Sequence, residues 1–104
     1  MLVEVLTFDG CPYGEPALEL ARTTVAELAV EAEIRRVSID ESETEQSRFL
    51  GSPSLRVDGQ DIEPGAEGRR DYAHGCRLYQ TSVGPRPLPD AAWLREKLVA
   101  ARDR

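Results

Sequence analysis

Hydrophobic positions along the chain change their spacing several times, and each change marks a structural element. Leu2, Val3, Val5, Leu6 and Phe8 form a nearly continuous apolar run. A run of that length predicts a central strand buried on both faces. From Glu15 to Glu31 the spacing becomes helical, with Leu18, Ala21, Val25, Leu28 and Ala29 on one stripe about four turns long. Ile34, Val37 and Ile39 then predict a second strand, interleaved with Arg35, Arg36 and Ser38. Strand, helix of this length and strand together imply a parallel crossover.

Asp40 with Glu43 matches a capping box and predicts a short second helix, which Phe49 and Leu50 would pack back onto the sheet. The acidic run Glu41, Glu43, Glu45 reads as a solvated face of that helix. Gly51-Ser52-Pro53 ends it. Ser54–Val57 alternates as a strand, Asp58-Gly59 signals a hairpin, and Gln60–Ile62 begins the return strand. Residues 63 to about 87 show no period and hold several glycines and prolines, so they predict a long loop. Within it only Cys76-Arg77-Leu78-Tyr79 has apolar content, which predicts that this stretch folds back onto the domain. The last helix follows Asp90, a capping residue, with Ala91, Leu94, Leu98 and Ala101 as its core stripe.

Composition narrows the function classes. The 104 residues suffice for one domain, spanning 1–104, with a single core, and 40% hydrophobic and 31% charged residues suit an ordinary globule. A net charge of −6 argues against nucleic acid or an anionic membrane as a partner. Arg69-Arg70 is too small a basic step to reverse that. No apolar run is long enough to cross a bilayer and no signal-peptide core is visible, so the expected compartment is the cytoplasm. In a reducing compartment two cysteines, Cys11 and Cys76, read as chemistry or as core residues rather than as a secreted disulfide scaffold.

The chemistry centres on Cys11. Strand, Asp9-Gly10 turn, cysteine and helix place a thiol at a helix N-terminus, where unpaired N–H groups and the helix dipole favour the thiolate. Pro12 is expected in the first helical turn, where its missing N–H costs nothing. Asp9 and Glu15 oppose the thiolate through their charge. Cys76 is expected near Cys11, because both parallel strands end on that side and the Asp58-Gly59 hairpin returns the chain to it. A Cys11–Cys76 link would close a loop of about 65 residues, worth roughly 4 kcal/mol by chain entropy. The other reading of Cys76 is a buried apolar thiol that anchors the loop. His74 is a weaker candidate base or ligand, and a lone loop histidine is more often exposed. Tyr13 and Tyr79 could cover the thiol but read more readily as aromatic packing, as does Trp93 in the last helix.

The element order, the cysteine opening the first helix and the Ser-Pro before the third strand resemble the thioredoxin-like fold over essentially the whole chain. Cys11-Pro12-Tyr13-Gly14 is similar to the glutaredoxin-type Cys-Pro-Tyr-Cys site, and Ser52-Pro53 to the cis-proline of that fold. The segments Phe8–Pro12 and Cys76–Tyr79 resemble a small group of bacterial thioredoxin-like proteins. The resemblance implies an α/β, β-α-β-α-β-β-α three-layer sandwich with a long loop before the last helix. It further implies Cys11 as nucleophile and Pro53 as the cis-proline; Pro12, Tyr13, Ser52 and Asp9 are the candidate binding residues beside them. Gly14 stands where the second active-site cysteine would be, so a disulfide within the motif is impossible. The glycine pair and the lysine that hold glutathione in glutaredoxins are also missing.

Three functions stay open from the sequence. One is thiol–disulfide exchange with a thiol or disulfide compound, proteins included, in which Cys76 resolves Cys11. The second is handling of a soft metal or organomercurial by two thiolates, with Asp9 as proton donor. The third is a binding module that kept the fold without catalysis. No cofactor is expected. Two cysteines are too few for a closed structural zinc site, and no metal ligand set is assigned.

Overall fold

The computed structural model describes all 104 residues. The first apolar run forms β1 (Leu2–Thr7), which lies inside a four-stranded sheet. Parallel to it lies β2 (Glu33–Ser38), and antiparallel to it on the other side lies β3 (Ser54–Val57). The short β4 (Gln60–Asp61) adds the far edge through the Asp58-Gly59 hairpin. Val5 faces Arg36 on one neighbour and Leu55 on the other. This central position explains why β1 buries residues on both faces.

Both helices cover one face of the sheet. α1 (Gly14–Leu28) and α2 (Ala91–Arg102) enclose a core of Val3, Val5, Ala17, Leu18, Ala21, Leu55, Val57, Ile62, Leu94 and Leu98. Burying such a side chain fully is worth about 1.5–3 kcal/mol each, so this cluster is the main apolar anchor of the fold. α1 is shorter than the expected 15–31 span. It stops because Ala29 turns left-handed (φ +52°), its N–H bonding the Ala26 carbonyl while the Val30 N–H reaches Val25. That is the Schellman pattern, with Val25 and Val30 both packed against the core. Ala29 therefore leaves the expected stripe and is exposed. Asp90 does occupy the N-terminal flank of α2, but its side chain caps nothing there and accepts instead from the Ser82 hydroxyl at 3.1 Å.

The expected second helix is absent. Asp40–Leu50 holds only a three-residue 3₁₀ turn, Glu41–Glu43, followed by further turns. The expected capping box of Asp40 and Glu43 does form, with Glu43 accepting the Asp40 N–H at 2.9 Å, but no helix propagates from it. The cause is a missing stripe. Apolar residues occur only at the end, at Phe49 and Leu50, and helical stability in proteins comes mainly from a packed face. Phe49 still packs on the sheet, joining Leu6 and Ile39 in a small cluster on the face opposite the helices. The architecture is α/β with two full layers, and irregular chain covers only part of the third.

Residues 63–87 are also more ordered than expected. Ala66–Gly68 makes a 3₁₀ turn, and a second hairpin pairs β5 (Tyr79–Thr81) with β6 (Gly84–Arg86). Pro85 inside β6 hides this strand from pattern reading, yet such a two-stranded edge tolerates it. No helix is long and apolar enough to cross a membrane.

Candidate functional site

Two thiols reach the carboxyl end of β1 by different routes. The first follows β1 directly. Gly10 (φ +90°) makes the turn, the Cys11 N–H donates to the Phe8 carbonyl at 3.2 Å, and the Gly14 N–H donates to the Cys11 carbonyl at 3.3 Å. Tyr13 flanks α1 and the helix begins at Gly14, so Cys11 lies in the preceding turn rather than on the first helical residues. Pro12 likewise falls outside the helix. The proline in the first turn is Pro16, whose missing N–H lies among the orphan donors of a helix start. Cys11 is buried, whereas Pro12 and Tyr13 are exposed.

The second thiol arrives from the far end of the chain. Ser52 and Cys76 lie opposite each other in a single parallel bridge. The Ser52 N–H donates to the Gly75 carbonyl at 2.8 Å, and the Arg77 N–H donates to the Ser52 carbonyl at 3.0 Å. Gly51 is required here for two reasons. Its φ is +113°, and a Cβ would come within 3.0 Å of both the Arg77 Cβ and the Gly75 carbonyl. The Ser52–Pro53 peptide bond is cis, as expected from the motif. Cys76 is exposed and not an apolar anchor, and both cysteines are free thiols.

His74 ties the two routes together. Its ring packs 4.8 Å from Phe8, the residue whose carbonyl holds Cys11, and 6.0 Å from Phe49. Its Nε2 donates to the Ile39 carbonyl at 2.8 Å, because a carbonyl can only accept. The Ala73 N–H adds a bond to the Phe49 carbonyl at 2.9 Å. Segment 73–77 therefore lies across the ends of β1 and β2, and the half-buried His74 acts as its latch rather than as an exposed loop residue.

Cys76–Tyr79 docks through one aromatic ring, Tyr79, and one charge, Arg77. Leu78 is 60% exposed, and the buried side chains are Arg77 and Tyr79, alternating as on a strand. The Arg77 guanidinium donates to both oxygens of Asp61 at 2.7 and 3.0 Å, to Glu63 at 3.0 Å and to the Ser54 hydroxyl at 2.8 Å. It also lies 4.2 Å over the Tyr79 ring, whose hydroxyl donates to the Pro53 carbonyl at 2.6 Å. Burial alone would lower the pKa of Arg77. The bonds to Asp61 and Glu63 and their charge outweigh it and hold the guanidinium protonated. Burial pushes the Tyr79 phenol far up, with Arg77 opposing, so it remains a donor. Arg69 extends the cluster, bonding Glu63 at 3.1 Å and Asp71 at 2.7 and 2.9 Å.

Arg36 was not singled out by the sequence, yet its side chain occupies the space beside Gly14. A Cβ on Gly14 would come within 2.8 Å of its guanidinium. The same side chain approaches Glu15 at 3.5 Å, so Glu15 does not face the Cys11 turn uncompensated. Asp9 turns toward the Ser38 hydroxyl at 3.4 Å. A period-two count from Ile34 puts Arg36 on the helix side of β2, and that count was the available signal. For Arg77 the signal was the pairing of Cys76–Tyr79 alternation with the acids Asp61 and Glu63 two apart. Two buried polar atoms have no partner, the Ser52 hydroxyl and the Arg77 Nε. No three His, Cys, Asp or Glu side chains are grouped as metal ligands. No protein-family model matches the chain, and no curated protein or solved structure is significantly similar to it.

Proposed function

We propose that this chain is a thioredoxin-like thiol–disulfide exchange protein whose two thiols come from distant parts of the sequence, Cys11 from the β1–α1 turn and Cys76 from the returning segment. The observation that carries the reading is their common address. Cys76 is bridged to Ser52, immediately before the cis-proline, and His74, two residues away, stacks on the Phe8 that holds Cys11. The β-α-β start, the antiparallel hairpin and the closing helix agree with such a frame.

Exposure favours the reverse order of roles from the motif. Attack on a disulfide needs an accessible thiolate, and Cys76 is the exposed thiol. Its sulfur attacks one sulfur of the substrate disulfide, forming a mixed disulfide and expelling the first substrate thiolate. Cys11 then attacks the Cys76 sulfur, forming Cys11–Cys76 and expelling the second thiolate. Two electrons pass from the protein dithiol to the substrate, and the protons of both thiols end on the released products or in water. The free Ser52 hydroxyl, buried beside this strand, is the donor available to a mixed disulfide held there.

The reading is tested by incubating the reduced protein with oxidised glutathione and mapping disulfides by mass. The expected result is an intramolecular Cys11–Cys76 bond in monomeric protein, with Cys11→Ser accumulating a glutathione adduct on Cys76. Oxidised protein that dimerises through Cys76 while Cys11 stays free would reduce the chain to a binding module on the same frame.

A further inference from the structure

Ion pairing over the molecule is unevenly completed. Of the thirteen lysines and arginines, eight make salt bridges. Five do not: Arg48, Arg56, Arg70, Arg86 and Lys97. In a chain with net charge −6 a cation has many carboxylates to choose from. Three of the five nevertheless line one cavity of about 500 Å³ at the β4 edge.

The three cations come from three elements. Arg48 closes the irregular 44–48 turns, Arg56 lies on β3, and Lys97 reaches in from α2. Arg56 is fixed in place by donating to the carbonyls of Ser47 (2.6 Å) and Arg48 (3.1 Å), which orient it without neutralising it. Lys97 has only the Gln60 amide oxygen, at 3.5 Å. The carboxylate of Asp61 also borders the cavity, but both its oxygens are engaged by Arg77. Arg69 on the wall is likewise spoken for by Asp71 and Glu63. Glu67, exposed on the rim, is the one free acid, which leaves an excess of two positive charges over the cavity.

We propose that this cavity binds a small phosphorylated molecule through its phosphate monoester group. Two guanidiniums and an ammonium converging on one space match the charge of about −2 and the several acceptor oxygens of a phosphomonoester. The volume lies within the range of small-ligand sites, and Leu50, Ala66 and the Tyr72 ring give the organic part an apolar wall. A nucleic-acid backbone is a poor fit, since the cations line a concavity on an acidic molecule rather than a stripe. The site is independent of the thiol reading.

The test is an NMR titration of the full chain with inorganic phosphate and with phenyl phosphate at constant ionic strength. Expected are saturable shifts at the amides of Arg48, Arg56 and Gln60, with phenyl phosphate also shifting Tyr72. Replacing two of the three cations, Arg48→Ala with Lys97→Ala, should weaken phosphate binding by roughly tenfold or more, the scale of a lost charge-assisted hydrogen bond. Arg86→Ala, which removes an equally unpaired cation elsewhere, should change nothing. The proposal is overturned by unsaturable shifts, by an equal loss in Arg86→Ala, or by succinate binding as tightly as phosphate. Fold integrity of each variant is read from the Val3 and Val5 amide positions in the same spectra.

Discussion

The helix-backed core and the segment from Glu63 to Pro89 are held by opposite chemistry. In the first, Val3, Val5, Leu55, Leu94 and Leu98 are fully or almost fully removed from water and no charge is needed. In the second, an arginine with 1% of its side chain exposed is surrounded by two carboxylates, a serine hydroxyl and a tyrosine ring. Apolar packing is non-directional and scales with area, so it tolerates small shifts. A buried guanidinium tolerates little, because any donor that misses its acceptor, as the Arg77 Nε does, stays desolvated and unpaired. The core supplies bulk stability. The Arg77 cluster supplies the position of one strand, and with it the position of Cys76 against Ser52.

Arg77→Ala should cause the largest effect. It strands Asp61 as a largely buried carboxylate without its cation and leaves Glu63 only Arg69, and breaking such a pair costs about 3–5 kcal/mol. Hydrogen exchange should show the Ser52 and Arg77 amides losing protection before those of Val3 and Val5. If all four are lost together, the two regions are one cooperative unit and not separately held. Replacing Arg77, Asp61 and Glu63 together by apolar residues should recover much of the loss.

Leu94→Ala probes the other side. Removing a fully buried leucine from the α2 face should cost about 3 kcal/mol, read from chemical denaturation. The expected mark of the core is a loss of protection spread over both regions, since the segment has no apolar core of its own. Selective loss around Cys76 would contradict that.

The smallest effect is acid-dependent. The hydrogen bond from Arg69 holds the Asp71 carboxyl down at about 2, below its ordinary value near 3.8. A carboxylate depressed in the folded state stabilises it above the unfolded pKa, and the contribution fades as pH falls through the folded one. Between about pH 4 and pH 2 the Arg69 end of the segment should therefore loosen, while Val3 and Val5 stay protected. Asp71 is at the surface, so solvent screens the gain. The side-chain resonance of Arg69 followed by NMR should titrate in that window, and Asp71→Asn should abolish the titration.

Local periodicity carries the parts of this protein that bury apolar area in register with their own secondary structure. β1, α1, β2, the Asp58-Gly59 hairpin and the stripe of α2 are all legible because alternation or 3.6-residue spacing is written within ten or twenty residues. So is the cis Ser52-Pro53 turn, through its motif. The second helix misled the reading because a capping signal at Asp40 and Glu43 is local, whereas a helix also needs a face to pack, and 41–48 has none. The β5–β6 hairpin was hidden by Pro85 and by a turn lacking the usual Asn-Gly signal. For the candidate site, both cysteines could be named from the sequence, but not which of them meets solvent. That depends on Gly51 letting Gly75–Arg77 approach, on His74 reaching Ile39, and on Arg77 finding acids at 61 and 63. Each of these pairs lies 14 or more residues apart in the chain. Pairing between distant polar groups leaves no period in a sequence, because its geometry exists only once the sheet has brought the partners together.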